Sequence, residues 1–127
     1  MLSDYCIYTI RDSAKFGELD KNGGGNDTEH KRWVAGKRLL EEAEGEGKRL
    51  PIVFARAQRA GALLGWALVD KIIVDNKDTE YSFSAFQRFE KHAHLKSSLK
   101  KRDGKPLDEN FIRPYAICRT PAYLREG

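Results

Sequence analysis

The chain has 127 residues, 33% of them charged and 40% hydrophobic, with a net charge of +4. That suits one soluble globular domain over 1–127 with a core of its own. The longest uncharged apolar run, Gly61 to Val69, is far too short to cross a bilayer, and two cysteines with three histidines make no zinc framework, so neither a membrane partner nor a metal or other cofactor is expected.

The amino terminus lacks a basic stretch followed by an apolar one, so no secretory signal is expected and the chain reads as cytoplasmic. Tyr5 to Ile10 is a run of β-branched and aromatic residues and predicts a first strand. Residues 11–27 read as a flexible loop around Gly23, Gly24 and Gly25. The glycines lack the spacing of a phosphate-binding loop. Asn26, with Glu29 three positions on, predicts a helix start. Trp33, Gly36, Leu40 and Ala43, with Leu39 beside them, form a helical apolar stripe that Gly45 and Gly47 end.

Three strands follow, and they are the most apolar part of the chain. Ile52 to Ala55 begins them. Leu63 to Val69 is apolar at nearly every position, which predicts a strand covered on both faces. Gly65 within it marks a bulge, a bend or a close backbone approach. Asp75 to Asp78 is a short turn, so the next strand, with Thr79, Tyr81 and Phe83 alternating against polar residues, pairs back as a hairpin. Ser84 then reads as the cap of a short helix carrying Phe86 and Phe89.

Residues 88–110 form a basic excursion. Arg88, Lys91, Lys96, Lys100, Lys101, Arg102 and Lys105 against Glu90 and Asp103 leave +5 between residues 88 and 105, so the rest of the chain sums to −1. A positive charge this concentrated attracts polyanions. Tyr115 to Cys118 reads as a closing strand, with Pro114 and Pro121 at its ends. Cys6 and Cys118, both in predicted strands, read as buried free thiols of a reducing compartment.

The order of elements, with Ile-Val-Phe-Ala at 52–55, Gly-Trp-Ala-Leu-Val-Asp-Lys-Ile at 65–72 and Arg-Pro-Tyr-Ala-Ile-Cys at 113–118, resembles the PUA-like superfamily, which includes the ASCH and EVE domains. The resemblance covers residues 5–120. The EVE opening, a Tyr-Trp pair before a Ser-Glu-Pro run, and the ASCH Lys-Thr-x-Glu-x-Arg motif are absent, so no family ligand position is carried over. The resemblance implies an α+β fold: a small mixed, mostly antiparallel β-barrel with one main helix and one or two short ones. It also implies a cleft that binds RNA or a modified base in DNA.

The expected function is therefore a nucleic-acid-binding domain, more a reader than an enzyme. Arg56, Arg59, Arg88, Lys91, Lys96, Ser97, Ser98, Lys100, Lys101, Arg102, Arg113 and Arg119 are the candidates to contact the strand. Trp33, Trp66, Tyr81 and Tyr115 are the candidates to stack on a base. The alternatives are a small hydrolase acting on nucleic acid or nucleotides, with His30, His92 or His94 as base, and a module that docks an acidic protein. No catalytic signature favours the former, and no catalytic residue is assigned.

Overall fold

The computed structural model describes residues 1–11, 23–56, 62–90, 93–108 and 115–124. Its strands are β1 (Tyr5–Arg11), β2 (Gly25–Glu29), β3 (Pro51–Arg56), β4 (Leu63–Val74), β5 (Thr79–Arg88), β6 (Lys100–Lys101) and β7 (Tyr115–Arg119). Helix α1 (Val34–Gly45) lies between β2 and β3, and a single 3₁₀ turn, Lys96–Ser98, precedes β6. The strands form one mixed sheet in the order β2-β5-β4-β3-β1-β7-β6. Among the described strands only β1 and β3 pair in parallel, joined by a crossover that contains β2 and α1. The result is a small α+β domain with one α-helix among the described residues.

The sheet is strongly curled. Arg11 on β1 brings its Nε to 3.7 Å from Asp27 Oδ2 on β2, although three strands separate them in the sheet. Trp33, just before α1, stacks on Tyr81 of β5 and Tyr115 of β7, which are also three strands apart. Three register shifts, one between β3 and β4 and two between β4 and β5, supply the bends. No ladder joins β2 to β6 among the described residues, so the sheet is not a closed barrel.

Both faces of the sheet are covered. Ile7, Ile52, Phe54, Val69, Tyr81 and Phe83 pack with Trp33, Leu39, Leu40 and Ala43 on the helix side. Tyr8, Val53, Trp66 and Leu68 pack on the other side, under Leu99, Leu107 and Leu124. The apolar run of β4 has this cause, for it is central and buried on both sides. Beyond Val69 only Ile72 stays buried, while Asp70, Lys71 and Ile73 are exposed. Cys6 and Cys118 are buried free thiols directly opposite one another on β1 and β7. Burial pushes the Cys118 thiol up to about 12.

Gly65 marks a close backbone approach in this core. A Cβ there would lie 2.5 Å from the Gln87 carbonyl oxygen and 2.8 Å from the Phe86 ring. Gly65→Ala should therefore cost about 1–3 kcal/mol, measured by urea denaturation, since backbone rather than a flexible side chain must move. An alanine variant as stable as the parent would show that the bulge relaxes.

Three expectations from the sequence are corrected. The helix does not start at Asn26. Gly25–Glu29 instead form an edge strand, with Asn26 opposite Ser82, and α1 begins at Val34. Its entry is set by tertiary contacts: the Trp33 N–H donates to Thr79 Oγ1 (2.8 Å), and that hydroxyl donates to the Lys31 carbonyl (2.7 Å). Nor does Ser84 cap a helix. β5 continues to Arg88 through a bulge at Ala85, whose φ of 56° carries the chain past without ending the strand. The flexible-loop expectation for 11–27 fails at Arg11 and at Gly25–Asp27, which are strand; residues 23 and 24 are irregular and 12–22 fall outside the described residues.

Candidate functional site

Register sorts the expected contact residues into separate places. Arg119 lies opposite Tyr5 at the start of β1, whereas Arg56 lies opposite Arg11 at its end. Arg88, paired with Gly65 and exposed, belongs to the Arg11 end. Lys100, Lys101 and Arg102 belong to the Arg119 end. The basic stretch therefore does not form one surface, and Arg59, Lys91 and Arg113 lie outside the described residues.

The Arg119 end gathers the most charge. β6 pairs Lys100 with Arg119 and Lys101 with Cys118. A tight turn returns the chain: the Gly104 N–H donates to the Lys101 carbonyl and the Lys101 N–H to the Lys105 carbonyl, both at 2.9 Å. Gly104 takes a φ of 87° there, open to glycine without strain. Arg119 donates from Nη2 to the Arg102 carbonyl (2.9 Å), which ties the turn to β7. Five cations, Lys100, Lys101, Arg102, Lys105 and Arg119, thus share one sheet edge. The Asp103 carboxyl among them is held below the usual range, first by the Lys105 N–H and then by the charges of Lys101, Lys105 and Arg119.

The segment leading to that edge is structural. Lys96 is only 3% exposed, and its ammonium lies 5.9 Å from the centre of the Tyr8 ring. Burial pushes its pKa down. The Ser98 hydroxyl donates to the Leu95 carbonyl (2.6 Å) and accepts from the Tyr123 hydroxyl (2.7 Å). Ser97 is half-buried beside it.

The four aromatic candidates are in the core to different degrees. Trp66 is 3% exposed and packs under Leu99 and Leu107. Trp33 has both faces occupied, by Tyr81 with centroids at 4.7 Å and by Tyr115 at 4.8 Å. The Tyr115 hydroxyl accepts the Gly36 N–H (2.8 Å) and fixes the first turn of α1 to β7. Trp33, Trp66 and Tyr81 are too buried to offer a ring face without rearrangement, while Tyr115 is half-buried. Phe89, His94 and Tyr123 form a half-buried cluster, with His94 stacked on Tyr123 at 3.7 Å and Phe89 edge-on to both.

Sequence reasoning missed Arg11. It is 6% exposed, its guanidinium lies 5.0 Å from the centre of the Phe83 ring, and among the described residues Nε and Nη1 have no hydrogen-bond partner. The nearby Tyr81 hydroxyl is likewise buried and without a hydrogen-bond partner among the described residues. Burial first, then the carboxylates of Asp27 and Glu29, hold that phenol well above its usual range, while Arg11 acts in the opposite sense. Alternation along β1 was the available signal, because residue 11 shares a face with Ile7 and Thr9. The arrangement presents desolvated donors and an acceptor between aromatic walls.

A buried hydroxyl with no partner adds nothing to folding. Tyr81→Phe should leave stability unchanged or raise it by up to about 1 kcal/mol, measured by urea denaturation. A loss larger than that would reveal a partner for the hydroxyl.

Among the described residues no helix is long and apolar enough to cross a membrane. Among them, too, no three His, Cys, Asp or Glu side chains are grouped to hold a metal ion. Compared with known protein families, curated proteins and solved structures, the chain matches none.

Proposed function

We propose that this chain is a nucleic-acid-binding domain of PUA-like, barrel-type build that engages RNA or a modified base in DNA without catalysing a reaction. The observation that carries the reading is the edge made by Lys100, Lys101, Arg102, Lys105 and Arg119. Cations gathered on one ladder and turn attract the phosphates of a strand and release counterions when it binds. The curl that brings β1 against β2 supports the barrel-type build. The buried Arg11 and Tyr81, with the Arg11 guanidinium over the Phe54 and Phe83 rings and near the partly buried Asp27 carboxylate, support the reading of a base edge, since desolvated polar groups discriminate strongly among partners. A cytoplasmic location belongs to the same proposal, and the two buried free thiols suit it.

The test is fluorescence anisotropy with labelled single- and double-stranded RNA and DNA, with and without modified bases, at low salt. Preference for one form supports the reader and identifies its ligand class. No binding to any form removes the proposal and turns attention to acidic protein partners and hydrolase assays.

A further inference from the structure

A groove of about 310 Å³ runs between α1 and the β6–β7 edge. Tyr5, Ala35, Arg38, Leu39, Glu42 and Arg102 line it. The four helical residues share one face of α1 by their spacing. Tyr5 comes from the start of β1, and Arg102 from the turn after β6. The Arg102 guanidinium lies over the Tyr5 ring, 5.1 Å from its centre, and the Arg102 carbonyl is held by Arg119. The groove thus has an apolar floor, one guanidinium oriented by an aromatic ring, and a second guanidinium from Arg38. Glu42 adds an acceptor.

We infer that this groove is a nucleotide subsite that takes one unpaired nucleotide of a bound strand, with its phosphate between Arg38 and Arg102. The inference rests on the nucleic-acid reading above and locates where the strand leaves the basic edge. Two guanidiniums on opposite walls suit a phosphate, which accepts from forked donors on two sides. A bare anion would leave the floor uncovered and meet the Glu42 carboxylate unfavourably. A nucleotide covers the floor with its sugar or base and offers a hydroxyl or amine to Glu42. The volume lies near the lower end of small-ligand sites, roughly 300–1,000 Å³, which admits one nucleotide and not a duplex. Tyr5 is a positioning residue: it sets the plane of the Arg102 guanidinium.

The test follows a short labelled oligouridylate or oligothymidylate by anisotropy at several salt concentrations. Arg38→Gln should weaken binding about three- to tenfold and flatten the logarithmic salt slope by about one. Tyr5→Leu should weaken it at unchanged net charge, and Tyr5→Phe, which keeps the ring, should restore it. Lys77→Gln, a charge removed from the distant β4–β5 turn, should change little. Uridine monophosphate should displace the strand at concentrations where uridine and inorganic phosphate do not. Phosphate competing as well as the nucleotide overturns the inference. So does parental binding by both Arg38→Gln and Tyr5→Leu. If the Lys100, Lys101 and Arg102 variant described below still loses affinity, that second outcome spares the basic edge. Absence of binding by the parent chain removes the subsite and the nucleic-acid reading together.

Discussion

Replacing Trp33 by alanine should lower the unfolding free energy by about 3–5 kcal/mol, the range for truncating a buried large aromatic. Trp33 is 1% exposed and lies between the Tyr81 and Tyr115 rings. Those rings come from strands on opposite sides of the curl, so the indole holds the two flanks of the sheet together. Its removal opens a cavity that neither tyrosine fills without leaving its strand. Trp33→Phe keeps a ring between them and should cost clearly less. Urea denaturation followed by circular dichroism measures both variants. A stable Trp33→Ala protein that only lost its ligand would transfer the indole from the core to the binding site.

Neutralising the basic edge should have the opposite signature. With Lys100, Lys101 and Arg102 all changed to glutamine, nucleic-acid affinity should fall about ten- to hundredfold at low salt. The salt slope should flatten by about 2–3 for the three lost phosphate contacts. Stability should change by no more than about 0.5 kcal/mol, because the turn is held through backbone groups that the substitutions keep. Lysines on an edge strand also have a protective use, since they discourage edge-to-edge pairing between molecules. Gel filtration separates the two roles. A variant that binds like the parent but self-associates would show that Lys100 and Lys101 guard the edge and do not engage a ligand.

The parts of the fold legible in the sequence are those in which neighbouring residues carry their own signal. Alternation marked β5 as far as Phe83, unbroken apolar character marked β4, and the helical stripe from Trp33 to Ala43 is the buried face of α1. Gly65 was legible as a bulge or close approach because little else explains a glycine inside an apolar strand. The start of α1 was not legible. Its entry depends on Thr79, 46 positions from Trp33, and a polar pattern such as Gly25–Glu29 becomes a strand only because β5 lies beside it. The bulge at Ala85 hid the second half of β5 for a similar reason.

The candidate site was legible in composition more than in place. A count of charges finds the excess but not its direction. Lys96 lies in the counted stretch and is buried over Tyr8, because a lysine stem packs as an apolar chain. Lys100, four residues on, is exposed. Arg38 of the groove and Arg11 of the interior lie far from that stretch in sequence. Arg38 reaches the groove only through the crossover that carries α1 over the sheet, and Arg11 reaches Asp27 only through the curl that turns β1 towards β2.

The salt dependence of nucleic-acid binding by the parent chain tests the central proposal most directly. With five cations on the edge, the logarithm of the association constant should fall linearly with the logarithm of salt concentration, with a slope of about −3 to −4. One nucleic-acid form should be preferred at every salt concentration. A slope near zero, or equal and weak binding to every strand, would contradict the assignment of the β6–β7 edge as the surface that meets the phosphates.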